Sequence, residues 1–182
     1  MDIAIVSLTE ATLGAAPVWD SPPYSCRYCL YWEYPEECVD PALEVPAERF
    51  QRKIEWLRRC RASFGDCGAL AYVDGRPAAY AQYAPAAWLP GAAQYPAGPP
   101  SGDAVLLSCL FIPEAKCRGR GLGRRLLEHI VADLRARDLA ALETFGRKGR
   151  ADNPSGPAEF YLAHGFQIVR DDAEFPLLRL EV

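Results

Sequence analysis

The feature that most constrains this chain is a run of three adjoining patterns. Ala104 to Ile112 is almost continuously apolar, Arg118-Gly119-Arg120-Gly121-Leu122-Gly123 is a glycine-rich basic turn, and Leu122 to Leu134 is amphipathic. A short apolar run without alternation reads as a central strand buried on both faces. Leu122, Leu126, Leu127, Ile130, Val131 and Leu134 fall on one face of a helix. Between them, glycines let backbone N–H groups turn toward an anion with no Cβ in the way. The start of a helix adds unpaired donors and a partial positive charge. Strand, basic turn and helix together predict a phosphate-binding site.

Which phosphate loop this is can be narrowed by elimination. A Walker-type loop ends in Gly-Lys-Ser/Thr, because the lysine reaches the terminal phosphates and the hydroxyl holds magnesium. Here Gly123 is followed by Arg124-Arg125. A dinucleotide fingerprint needs a third glycine three residues after the second. Arg124 stands there instead, and the motif falls late in the chain. A basic turn without a ligand remains as the alternative.

The remaining elements follow from pattern. Ile3 to Leu8 is a first strand, and Pro46 to Arg61 a helix with Phe50, Ile54 and Leu57 at helical spacing. Asp74-Gly75 between Ala69–Val73 and Pro77–Tyr83 predicts a hairpin. Ala84 to Asp103, with five prolines and three glycines, is a long loop. Ala140 to Phe145 is a short strand, and Gly146 to Pro157 a basic loop. Ala158 to His164 is a short helix ending at Gly165, and Phe166–Val169 and Phe175–Val182 are the last strands. Thr9 to Tyr34 has no clear pattern. With 182 residues and neither a repeat nor a second domain, one domain, 1–182, is expected.

Charge is unevenly placed along a chain of net charge −4. Glu33 to Glu48 holds six acidic and no basic residues, and Lys116 to Arg125 five basic and no acidic ones. The negative total argues against nucleic acid as a partner, and no apolar run is long enough to span a membrane. Met1-Asp2-Ile3-Ala4-Ile5 has no signal-peptide character, so a cytoplasmic location is expected. The odd number of cysteines, seven, argues against a disulfide framework. Cys109, inside the apolar run, reads as a small core residue.

Two motifs together resemble a known family. Arg118-x-x-Gly121-x-Gly123 after a strand and at the head of a helix is similar to the pyrophosphate arm of the GNAT superfamily of N-acetyltransferases. Tyr161-x-x-x-Gly165-Phe166 is similar to that family's C-terminal signature, and the order of elements agrees from about Ala69 to Val182. The resemblance implies an α/β (α+β) fold with a mixed, mostly antiparallel sheet and helices on both faces. It implies an acyltransferase moving acetyl from acetyl-CoA, as co-substrate, to an amine of a small molecule or peptide by direct attack in a ternary complex.

Carried over residue by residue, the backbone N–H groups of Arg118, Gly119, Arg120, Gly121, Leu122, Gly123 and Arg124 would hold pyrophosphate. Leu110, Phe111 and Ile112 would pair with pantetheine, and Tyr161 would be the general acid toward the departing thiolate. Arg147, Lys148 and Arg150 are set by charge alone for the 3′-phosphate, with a solvated loop as the alternative. Where family members carry a basic carboxylate on the central strand, this chain has Ser108. A water chain, Glu33 or Glu143 is then the proton acceptor, and Glu33 is the carboxylate expected to be catalytic. Two departures stand out. Ile112 to Cys117 is a residue or two longer than the family's link, and the asparagine expected before Tyr161 is replaced by Pro154, beside Asn153.

The resemblance is poorest over residues 1–60, which it implies build the acceptor pocket, while 69–182 form the CoA-binding core. Cys26-Arg27-Tyr28-Cys29-Leu30-Tyr31-Trp32-Glu33 is dense in thiols and aromatics. It could pair a cationic amine with Glu33 and ring faces. Cys26-x-x-Cys29 with Cys38, Cys60 or Cys67 could instead bind zinc or act as a redox pair, and packed reduced thiols are the plainest reading; no metal is expected. The partners implied are acetyl-CoA and a possibly cationic amine, and a homodimer is compatible. The competing class is a non-catalytic acyl-CoA-sensing or zinc-binding module on the same fold.

Overall fold

The computed structural model describes residues 2–37 and 45–182. Seven strands form one sheet: β1 (Ile3–Ser7), β2 (Gly68–Val73), β3 (Arg76–Pro85), β4 (Ala104–Phe111), β5 (Ala141–Phe145), β6 (Gln167–Arg170) and β7 (Leu177–Glu181). Their order is β1-β2-β3-β4-β5-β7-β6. Every neighbouring pair is antiparallel except β4 with β5. The β2–β3 hairpin turns at Asp74-Gly75, whose φ angles of 48° and 76° are those its tight turn demands.

Helices α1 (Glu10–Leu13) and α2 (Pro46–Phe64) pack on one face of the sheet, and α3 (Leu122–Ala136) and α4 (Ala158–Ala163) on the other. The predicted apolar face of α3 is the one that is buried. The buried side of α2 carries Arg49, Lys53, Trp56, Leu57 and Cys60, while Phe50 and Ile54 are only half-buried. The helix is thus rotated from its apolar pattern, because both cations have partners in the N-terminal segment. Arg49 donates to the Tyr28 carbonyl and Lys53 to Glu33. Residues 84–103 are no open loop. Two 3-10 turns carry Leu89 and Ala92 into the core, and Gly91 N–H bonds the Trp32 carbonyl at 2.9 Å. A Cβ on Gly91 would lie 2.5 Å from the Tyr31 carbonyl oxygen, so glycine is required for the N-terminal segment to dock there.

Two features of β4 position the site. Its register against β3 shifts between Gln82 and Tyr83, which pair with Cys109 and Leu107, leaving Ser108 as the extra residue of a bulge. A bulge reverses the alternation of faces. Val105, Leu107 and Leu110 face α3, while Leu106, Cys109 and Phe111 face α2. The Ser108 hydroxyl ties the bulge by donating to the Gln82 carbonyl at 3.1 Å. Secondly, β4 pairs with β5 only through Ala104, Val105 and Leu106, and beyond them the strands separate.

Deleting Ser108 would remove the bulge and let Cys109 follow Leu107 in regular alternation, so Cys109 to Phe111 keep their present faces. Thermal unfolding of that deletion is expected to keep a single cooperative transition. Ser108→Ala, which keeps the bulge, should lose only about 0.5–1.5 kcal/mol.

Candidate active site

The glycine-rich turn has the geometry of an anion cradle. Gly119 and Gly121 sit at φ 69° and 82°, and a Cβ on either would meet no atom within 4 Å. The first bond of α3 runs from Arg125 N–H to the Gly121 carbonyl at 3.1 Å. The N–H groups of Gly119, Arg120, Gly121, Leu122, Gly123 and Arg124 meet no acceptor among the described residues. These donors and the positive end of the helix converge on one spot. Arg118 differs from the rest. Its N–H bonds the Ala115 carbonyl at 3.1 Å, and its guanidinium donates to the carbonyls of Ile112 (2.8 Å) and Pro113 (2.9 Å). It clamps the turn to the end of β4. The longer link forms a 3-10 turn, Ala115–Cys117.

Beside this cradle, on the α3 face, lies a cleft of about 370 Å³ lined by Leu110, Ile112, Gly121, Gly123, Phe160 and His164 among others. On the α2 face lies a second cavity of about 630 Å³, lined by Cys29, Tyr31, Trp32, Tyr95, Cys109 and Phe175, with Asn153, Pro154 and Ser155. Residues 153–155 lie across the opening between β4 and β5, so they stand between the two spaces. The Pro154 carbonyl accepts the Leu110 N–H at 2.9 Å. Asn153 Oδ1 braces the turn, accepting from the Ser155 N–H (3.0 Å) and hydroxyl (2.6 Å).

Tyr161, on α4, is fully buried and donates its hydroxyl to the Ser155 carbonyl at 2.7 Å. Burial pushes its phenol above the ordinary range, so it keeps its proton. Gly156, at φ 76°, makes room for it, since a Cβ there would lie 2.8 Å from the phenol oxygen. Leu110 and Tyr161, on separate elements, therefore meet at two adjacent carbonyls of one turn.

The N-terminal residues form a buried polar cluster. Glu33 does not line the second cavity, although its neighbour Trp32 does, and its side chain is fully buried. Its Oε1 accepts from Lys53 Nζ and, at 2.6 Å, from Gln82 Nε2, whose own Oε1 accepts the Tyr80 hydroxyl at 2.6 Å. Glu33 Oε2 has no hydrogen-bond partner among the described residues. Burial opposes the charge of Lys53, but Glu33 outweighs it and holds the ammonium above the ordinary lysine range. Burial likewise pushes up the thiols of Cys26 and Cys109. The six described cysteines are free thiols. Among the described residues no three metal-ligating side chains converge, and Cys38 lies outside them, as do residues 38–44 of the acidic run.

Other predicted groups are committed elsewhere. Glu143 accepts from the Ser101 N–H (2.8 Å) and from Arg179 (3.1 Å). Arg147, Lys148 and Arg150 are each ion-paired, with Glu174, Asp171 and Asp152. Sequence reasoning missed Lys53 and Gln82 around Glu33, Phe160 and His164 in the cleft, and the Ser155-Gly156 seat of Tyr161. Two cations one helical turn apart, Arg49 and Lys53, in line with Trp56, Leu57 and Cys60, were the one available signal.

Residues 69–168, more than half of the chain, match the model of the acetyltransferase (GNAT) domain. The chain belongs to the GNAT family and is an acyltransferase. Compared by sequence with curated proteins, it matches none. Among solved structures it is similar to the PaiA N-acetyltransferase of Thermoplasma acidophilum in complex with coenzyme A, at 12% identity and a TM-score of 0.61 over 100% of both chains. It is also similar to a ribosomal-protein-alanine N-acetyltransferase of Brucella melitensis, at 21% identity and a TM-score of 0.59, covering 98% of this chain and 99% of that one. An N-acetyltransferase of Staphylococcus aureus shares 13% identity at a TM-score of 0.61, over 100% and 99%. At these identities the solved structures bear on the fold, which is the expected mixed sheet between two helical layers. No helix among the described residues is long and apolar enough to cross a membrane.

Lys53→Met would leave Glu33 buried and unpaired, and should lower the unfolding free energy by about 3–5 kcal/mol. Adding Glu33→Gln should restore part of that loss. Equal losses for the single and double variants in chemical denaturation would show that the pair is not coupled.

Proposed function

We propose that the cleft on the α3 face binds acetyl-CoA and that its acetyl group passes to an amine held in the cavity on the α2 face. The observation that carries this reading is the set of unpaired N–H groups from Gly119 to Arg124, which opens onto the cleft along Leu110 and Ile112. A diphosphate accepts from several such donors at once. The pantetheine then runs along the end of β4, and its amide oxygen takes the Leu110 N–H in place of the Pro154 carbonyl. Residues 153–155 move aside, and the two spaces become one. In this reading 69–182 carry the donor and 1–60 supply one wall of the acceptor site, since Cys29, Tyr31 and Trp32 already line it.

The reaction is direct attack. The amine nitrogen bonds to the thioester carbonyl carbon, the C–S bond breaks, the sulfur leaves with the electron pair, and the surplus proton of the acylated nitrogen goes to that sulfur. Holding both reactants across the opening supplies orientation, and N–H donors of β4 polarise the carbonyl. Displacing Ser155 frees the Tyr161 hydroxyl, which donates to the sulfur as negative charge develops. A phenol held above its ordinary range contributes mainly as a hydrogen-bond donor there. The proton lost by the ammonium passes through water to Glu33, whose Oε2 is unoccupied. An acetyl-cysteine intermediate on Cys109 is disfavoured, because burial keeps that thiol protonated.

Gly121→Val places a β-branched residue at φ 82° and a side chain over the cradle. Calorimetry should show acetyl-CoA affinity reduced at least about tenfold, from strain of about 1–3 kcal/mol alone; intact affinity would remove the arm from the donor site. Tyr161→Phe should lower kcat by about 10²-fold with little change in the KM for acetyl-CoA. An unchanged kcat where chemistry limits turnover would leave Tyr161 a packing residue.

A further inference from the structure

Building on that reading, we propose that the acceptor is a primary amine carried on a flat aromatic group and lacking a carboxylate. The cavity on the α2 face is walled by four rings from three distant parts of the chain: Tyr31, Trp32, Tyr95 and Phe175. They form a braced assembly. Trp32 and Tyr95 stack within 3° at 5.2 Å, and Tyr95 stacks within 11° on Phe145 at 4.4 Å. Phe175 meets Tyr95 edge-on at 5.2 Å, and Tyr31 meets Trp32 edge-on at 5.4 Å. Tyr95 is therefore in ring contact with Trp32, Phe145 and Phe175 at once, and the wall is braced by contacts among its own rings. A rigid wall of this kind favours a planar guest by offset or edge-on contact. A long flexible chain would lose its own freedom against it without comparable gain.

The charges sort guests further. Asp172 and Glu174 are the charged residues of the lining, and no lysine or arginine is among them. Glu174 is ion-paired with Arg147, whose guanidinium lies over the Phe175 ring at 4.9 Å. Asp172 Oδ1 accepts the N–H groups of Glu174 (2.9 Å) and Phe175 (2.7 Å). Those bonds hold its carboxyl below the ordinary range, so it stays an anion at neutral pH. The entrance thus attracts an ammonium and repels a carboxylate, and the rings add cation–π attraction to an approaching amine. A volume of about 630 Å³ suits a small molecule rather than a folded partner. Cys109 and Ser155 mark the end nearest the opening between β4 and β5, where the amine would meet the thioester.

The test uses the full chain with acetyl-CoA and reads CoA thiol release with 2-phenylethylamine, 2-cyclohexylethylamine, spermidine and phenylalanine. 2-Phenylethylamine is expected to exceed each of the others by about tenfold or more in kcat/KM. Tyr31→Ala should raise its KM several-fold with a smaller change in kcat, and Asp172→Asn should narrow the gap to phenylalanine. Equal or better turnover of spermidine or phenylalanine would overturn the proposal. In parallel, calorimetry measures binding of 2-phenylethylamine to the CoA-loaded protein. Binding that Tyr31→Ala weakens, without any CoA release, would uphold the aromatic-amine pocket and refute the acetyl-transfer reading. Absence of binding would refute the pocket itself, whatever other amines turn over.

Discussion

The separation of β4 from β5 after Leu106 is the constraint on which the rest of this structure depends. Two parallel strands that stay paired offer no free backbone group at their contact; two that part leave a wedge lined by unpaired N–H and C=O groups. A buried wedge of that kind must be filled. Here it is filled by the turn 153–155, with the Pro154 carbonyl on Leu110 N–H. The bulge at Ser108 then aims Cys109 to one side of the sheet and Leu110 to the other. Two cavities on opposite faces, one beside an anion cradle and one walled by aromatic rings, are the consequence.

In the proposed reaction this arrangement couples donor binding to placement of the Tyr161 phenol. Leu110 and Tyr161 donate to the carbonyls of consecutive residues, Pro154 and Ser155. In the proposed reaction, a donor that takes the first bond disturbs the second, and the phenol is freed as the thioester enters the wedge. The turn is tied within itself through Asn153, and so moves as a unit. The Glu33–Lys53–Gln82 cluster joins the N-terminal segment to α2 and β3. A buried pair of this type holds a segment in register at some cost in desolvation.

Much of the donor half was legible in the sequence, because each of its parts rests on a local rule. The apolar run of β4, the 3.6-residue face of α3 and the left-handed glycines of the arm need no information from elsewhere in the chain. The acceptor half was not, because its parts come from far apart. Trp32, Tyr95 and Phe175 meet only once residues 84–103 fold inward, and that stretch read as a loop because its prolines and glycines conceal Leu89 and Ala92. The face of α2 was misjudged because Lys53 looks solvent-exposed until Glu33, twenty residues earlier, is placed against it. Pro154 stood out as a departure from the family pattern. Its carbonyl's bond to Leu110 depends on the course of a whole loop and leaves no trace in residue spacing.

The central claim is that the acyl donor enters the wedge by displacing the turn at Pro154. Residue-resolved amide NMR during a titration with acetyl-CoA tests it most directly. The account predicts that the amides of Gly119 to Arg124, Leu110, and Asn153, Ser155 and Gly156 all shift along one binding curve. Shifts at Gly119 to Arg124 with Leu110 and the 153–156 turn unmoved would mean that the donor rests on the arm without entering between β4 and β5, and would contradict it.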